Sequence, residues 1–192
     1  MTSEAITIVS GLPRSGTSMM MKMLEAGGLP VLTDEIRTAD ADNPRGYYEF
    51  ERVKQIETDN AWLPEARGKA VKMIAALLKH LPPDYRYRVI FMQRKMEEIL
   101  ASQRQMLIRR GEPTDTVSDE RMAALFAKHV QQVQSWLAEQ HNFDVLPVDY
   151  NHVLQDPWPH VSRINDFLGG ILDVERMAAV VEPGLYRQRR ES

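Results

Sequence analysis

The chain opens on a short apolar run. Ile6-Thr7-Ile8-Val9-Ser10 is β-branched for most of its length and stops at Gly11, which predicts a buried strand over residues 6–10. Beyond it Met19, Met20, Met23 and Leu24 recur at helical spacing until Gly27-Gly28, so a helix is expected over 17–26. Residues 30–48, with Asp34, Asp40, Asp42, Asn43-Pro44 and Gly46, read as a long polar loop. Loops of that length in compact domains are often functional.

A modest helix is expected over 49–60, broken before Pro64. Residues 70–74 suggest a second strand, running into a short helical stretch 75–81 that ends at Pro82-Pro83. Arg88-Val89-Ile90-Phe91-Met92 gives the cleanest third strand. The helix expected over 96–110 carries Ile99, Leu100, Met106 and Leu107 on one face and ends at Gly111. A helix over 118–140 starts at Ser118-Asp119-Glu120 and has a long apolar stripe from Met122 to Leu137, expected to pack on the sheet. Residues 143–148 form a fourth strand in which Pro147 marks an end or an edge, and helices follow over 157–168 and 174–181. Strands alternating with helices predict a three-layer α/β/α fold around a parallel sheet of about four to five strands.

Composition narrows the function little but usefully. The 192 residues suit a single domain (1–192), with 184–192 as a basic tail carrying Arg187, Arg189 and Arg190. A net charge of −3 argues against a general polyanion binder, so no nucleic-acid partner is expected. The absence of cysteine excludes disulfides, thiolate zinc sites and cysteine nucleophiles. No apolar run is long enough for a membrane span, and no basic leader precedes the first strand, so a cytoplasmic protein is expected. Within this acidic chain, residues 79–110 are net +5, which suggests a basic patch for an anionic ligand.

The candidate chemistry lies in Gly11-Leu12-Pro13-Arg14-Ser15-Gly16-Thr17-Ser18. This run falls between a buried strand and a helix N-terminus, where orphan N–H groups and the positive end of the helix dipole face an anion. The loop departs from the nucleotide-hydrolysing pattern G-x-x-x-x-G-K-[ST], because Thr17 stands where lysine should be and the cation sits inside the loop as Arg14. The third strand ends in Gln93-Arg94, with no aspartate for magnesium, so no metal is expected.

Pro13-Arg14-Ser15-Gly16-Thr17-Ser18 resembles the 5′-phosphosulfate loop of the sulfotransferases that use 3′-phosphoadenosine-5′-phosphosulfate (PAPS). Val89-Ile90-Phe91-Met92-Gln93-Arg94, with Ser102 eight residues beyond the arginine, is similar to that family's 3′-phosphate motif. Val148-Asp149-Tyr150, Asp156-Pro157 and Phe167-Leu168-Gly169 resemble a third family stretch. The resemblance implies a P-loop NTPase-like fold, PAPS as donor, and donor contacts from Pro13, Arg14, Ser15, Gly16, Thr17, Ser18, Arg94 and Ser102. It further implies that Arg14 neutralises charge on the bridging oxygen as the sulfuryl group leaves. The acceptor would be a hydroxyl or amine of a small molecule, glycan or lipid.

The acceptor side is less defined. Glu49 is the candidate general base, since it ends Asn43-Pro44-Arg45-Gly46-Tyr47-Tyr48-Glu49, a stretch similar to one in bacterial sulfotransferase-like proteins. A carboxylate there could equally be a first-turn residue favourable to a helix dipole. Tyr47 and Tyr48 could line an acceptor pocket or simply pack, and Lys69 and Lys72 are further candidates near a strand that could equally be solvated. Two other functions stay open on these residues: a P-loop nucleotide or small-molecule kinase, and an inactive nucleotide-binding member of the fold. Oligomeric state is not legible in the chain.

Overall fold

The computed structural model describes residues 5–34, 48–114 and 116–181. Four strands, β1 (Ile6–Gly11), β2 (Ala70–Lys72), β3 (Tyr87–Gln93) and β4 (Phe143–Asp149), form one sheet in the order β2-β1-β3-β4. All three pairings are parallel. Among the described residues seven α-helices accompany them: α1 (Thr17–Ala26), α2 (Leu63–Ala66), α3 (Met96–Arg110), α4 (Asp119–Ala138), α5 (Tyr150–Gln155), α6 (Pro157–Leu168) and α7 (Val174–Ala179).

Alternation along the strands sends successive side chains to opposite faces and so builds two cores. Val9, Ile90, Met92, Leu146 and Val148 pack with α1, α5, α6 and α7 on one face. Ile6, Ile8, Tyr87, Val89, Phe91 and Phe143 pack on the other, against Trp62, Leu63, Leu78 and the C-terminal part of α4. The result is the expected three-layer α/β/α arrangement with four strands.

Several local expectations are corrected. Residues 49–60 hold only a 3-10 turn at Glu51–Gln55 instead of a helix. Phe50, Val53 and Ile56 are the residues turned into the core, and a spacing of three fits the three-residue turn of a 3-10 helix. Pro64 does not break a helix but occupies the first turn of α2, where its missing N–H costs nothing. β2 stops at Lys72, short of Ile74, and its outer edge is covered by residues 30–32: Ala70 N–H donates to Pro30 C=O and Leu32 N–H to Ala70 C=O, both at 2.8 Å. β4 runs one residue past its expected end, to Asp149, and is an edge strand with one neighbour, the edge that Pro147 was expected to mark. The α4 stripe reaches the core only at Val130, Val133, Trp136 and Leu137, while Leu125 is exposed near its start.

Sheet order places the site. The chain steps from β1 to β2 on one side, then crosses to β3 on the other. The crevice outside the carboxyl ends of β1 and β3 is therefore a topological switch point, where open parallel sheets bind ligands.

Candidate functional site

The loop from Gly11 to Ser18 lies at that crevice. Its shape needs three residues with positive φ: Gly11 (149°), Arg14 (69°) and Gly16 (96°). A Cβ on Gly11 would meet the Met92 carbonyl oxygen at 2.7 Å, and one on Gly16 would meet the Tyr150 ring at 2.2 Å, so both positions admit only glycine. Arg14 is the one non-glycine residue of the loop in the left-handed region, a strained conformation that persists only where surroundings hold it.

Those surroundings are specific. Arg94 Nη1 donates to the Arg14 carbonyl oxygen at 3.0 Å, and Arg14 Nε donates to Ser102 Oγ at 2.9 Å. Backbone and side chain of Arg14 are thus tethered from the two ends of an eight-residue step that begins on the Gln93-Arg94 turn and ends inside α3. Ser15 is buried, and its hydroxyl and N–H both donate to the Leu12 carbonyl, at 2.6 and 3.3 Å, bracing the loop from within. Pro13 is exposed at the tip, and Thr17 and Ser18 are half-buried in the first turn of α1. No acidic residue stands in that turn and Gly16 offers no side-chain cap, so the helix itself supplies nothing to compensate its N-terminal dipole.

Arg94 is held on three sides. Its side chain is 8% exposed, its Nε donates to Glu98 Oε2 at 3.0 Å, and its guanidinium lies 4.6 Å from the centre of the Tyr150 ring. Burial pushes the Tyr150 phenol above its ordinary pKa, and the positive charge of Arg94 offsets this only in part. The other oxygen of Glu98 accepts from Asn151 Nδ2 at 2.9 Å, and Asn151 Oδ1 accepts from Lys95 N–H at 3.1 Å. A cavity of about 320 Å³ opens beside this cluster between Leu12, the end of β3, the start of α3 and α4.

On the opposite side of the loop, Lys72 at the end of β2 donates from Nζ to Ser18 Oγ at 3.3 Å. Glu49 lies 3.8 Å from that ammonium and 3.8 Å from Lys54 Nζ. Glu49 precedes the 3-10 turn rather than opening a helix, so the helix-dipole alternative does not apply. The structure thus brings Glu49 to the loop through Lys72, a residue that sequence reasoning named only as one of two. Lys69 pairs with Glu65, away from the loop. Tyr48 packs against the first core and donates to Glu25 Oε2 at 2.6 Å. Asn43, Pro44, Arg45, Gly46 and Tyr47, and Arg187, Arg189 and Arg190, lie outside the described residues.

The basic patch expected over 79–110 is not one surface. Arg86 faces Asp144, Arg88 donates to the Leu168 carbonyl, and Arg104 pairs with Asp119, leaving Arg94 as the residue of that stretch that reaches the loop backbone. β3 separates its two ends by about 20 Å at some 3.3 Å per residue, so charges adjacent in sequence are distant in space.

Residues 5–190 match the family described as the sulfotransferase domain. The chain belongs to the sulfotransferase family. Similar solved structures carry the same fold at low identity. The sulfotransferase domain from the curacin biosynthetic pathway is 14% identical with a TM-score of 0.56, the match covering 95% of this chain and 79% of that one. A mouse sulfotransferase complexed with PAP is 18% identical with a TM-score of 0.56, covering 92% and 62% respectively. A sulfotransferase from Mycobacterium tuberculosis is 13% identical with a TM-score of 0.54, covering 94% and 71%. No curated protein sequence matches the chain. Among the described residues of this sulfotransferase, no helix is long and apolar enough to cross a membrane, and no three His, Asp or Glu side chains group to hold a metal ion.

Proposed function

We propose that this sulfotransferase moves the sulfuryl group of PAPS to a hydroxyl or amine of a small molecule, glycan or lipid, by in-line transfer. The observation that carries the reading is the convergence of Arg94 and Ser102 on Arg14: two chain stretches far apart in sequence meet at the strained residue of an anion-binding loop. In this reading Pro13, Arg14, Ser15, Gly16, Thr17 and Ser18 cradle the 5′-phosphosulfate at the N-terminus of α1, and Arg94 with Ser102 receives the 3′-phosphate.

Transfer breaks the bond from sulfur to the bridging phosphate oxygen and forms one from sulfur to the acceptor atom. Negative charge grows on the departing oxygen, and oriented donors already in place there stabilise it without reorganisation. Arg14, released from Ser102, and Lys72, released from Ser18, are the cations placed to do this. The acceptor proton goes to Glu49, which stands beside Lys72 and acts as general base. The proposal carries a cytoplasmic location and a metal-independent reaction with it.

Calorimetric titration with PAP, PAPS and ATP, each with and without magnesium, tests it. The expected result is binding of PAP and PAPS in the absence of metal and little affinity for ATP. Preference for ATP with magnesium would instead identify a kinase, which the family assignment does not favour.

A further inference from the structure

We infer that Glu98 and Asn151 are positioning residues that aim the Arg94 guanidinium at the donor's 3′-phosphate, through a hydrogen-bond chain whose direction is fixed at one end by the backbone. The inference rests on the donor reading above and extends it to two residues that make no contact with the donor.

The chain runs Lys95 N–H to Asn151 Oδ1, Asn151 Nδ2 to Glu98 Oε1, and Arg94 Nε to Glu98 Oε2, at 3.1, 2.9 and 3.0 Å. A backbone N–H can only donate, so it presents the Asn151 oxygen to Lys95 and turns the Asn151 amino group toward Glu98. Glu98 must then accept on both of its oxygens. Only a carboxylate does that, and the guanidinium is thereby locked by its Nε edge. Glu98 and Asn151 are buried, so water does not substitute for a lost member. With one Nη1 hydrogen on the Arg14 carbonyl and the Tyr150 ring against its face, the Nη2 edge of Arg94 has no hydrogen-bond partner among the described residues, and it is the edge assigned to the anion. The chain also ties α3 to α5, so the helices that follow β3 and β4 together set the aim of one arginine.

The direction of the chain makes the test possible. Glu98→Gln introduces an amino group that must face either Arg94 Nε or Asn151 Nδ2, donor against donor. Asn151→Asp sets two carboxylate oxygens against each other. The two changes together restore a consistent chain: the new carboxylate at 151 accepts from Lys95 N–H and from the new amide at 98, whose oxygen accepts from Arg94. Each variant is titrated with PAP and with adenosine 5′-phosphate, which lacks the 3′-phosphate, and the ratio of the two affinities is read.

Each single change is expected to lower that ratio about tenfold or more, by loss of a buried charge-assisted hydrogen bond, with affinity for adenosine 5′-phosphate retained. The double variant is expected to return to within about threefold of the parent, as coupled neighbours do. A merely structural role would weaken both nucleotides alike and would not be rescued. Glu98→Gln with an unchanged ratio, or a double variant that stays at the level of the singles, overturns the inference. If Glu98→Gln does not fold, the double variant alone decides: a retained ratio supports the chain and a lost one refutes it. Arg94→Met separates the two levels. If it leaves the ratio intact, the 3′-phosphate assignment fails and the clamp with it; if it abolishes the ratio while Glu98→Gln does not, the clamp alone fails.

Discussion

Gly16→Ala isolates what the loop asks of its backbone. At φ 96° an alanine is strained, at a cost of roughly 1–2 kcal/mol. The added methyl would also lie 2.2 Å from Tyr150 Cδ2 and 2.9 Å from Cε2, inside van der Waals contact with a buried ring. Overpacking of that kind typically costs about 1–3 kcal/mol. Together the substitution should lower stability by about 2–5 kcal/mol, read as a fall in the urea midpoint at constant slope. Tyr150 cannot move aside without dragging the guanidinium stacked on it, so PAP affinity in the surviving folded protein should fall as well. The two contributions separate in a cycle with Tyr150→Ala. Without the ring, Gly16→Ala should cost only the backbone part, about 1–2 kcal/mol, leaving a coupling of about 1–3 kcal/mol between the sites. A Gly16→Ala protein within about 0.5 kcal/mol of the parent, or strictly additive effects, would refute the close approach of Tyr150 and loop on which the argument stands.

Other outcomes follow from the same geometry. Under the proposed transfer, Arg14→Ala should reduce kcat by about 100-fold or more with the fold intact by circular dichroism, since in that reading Arg14 is the cation at the departing oxygen. Glu49→Gln should cut kcat by about 100-fold or more while leaving PAP affinity unchanged, because its place is beside Lys72 and not on the donor. His160 is held below the ordinary histidine pKa, first by burial and then by His152, whose ring stacks on it at 6.3 Å. The unfolded chain therefore binds the extra proton more readily, so stability should hold above the ordinary range near pH 6.5 and decline as pH falls below it. Urea midpoints at pH 7.5 and 5.5 should converge in a His160→Gln variant.

The first half of the site could be read from the chain because its signals are local. A β-branched run, a glycine pair five residues apart and a methionine stripe lie contiguous from Ile6 to Leu24 and become β1, loop and α1 with little change. Arg94 and Ser102 were equally legible as a motif, but their partners were not. The resemblance implied that both contact the donor's 3′-phosphate; what only the structure adds is that one holds the backbone of Arg14 and the other its side chain. The Glu98 pairing had a signal in its i, i+4 spacing from Arg94 at the start of a helix, whereas Asn151 lies 53 residues further along, out of reach of any local rule. Lys72 had only its place near a predicted strand as a signal, which it shared with Lys69. Its importance comes from the parallel register that sets Lys72 opposite Val9, two residues before the loop. The charge count over 79–110 misled for the converse reason, since a strand carries neighbours in sequence to opposite ends of the sheet.

β4 passes into α5 with no connecting residue between them. Asp149 ends the strand and caps the helix, accepting from His152 N–H at 3.0 Å, and Tyr150 and Asn151 come immediately after. A helix advances about 100° per residue, so inserting or deleting a single amino acid at this seam would swing Tyr150 away from Gly16 and Arg94 and Asn151 away from Glu98. The seam should therefore tolerate substitution at Asp149 better than any change of length, and grafts that vary acceptor preference belong elsewhere on the scaffold.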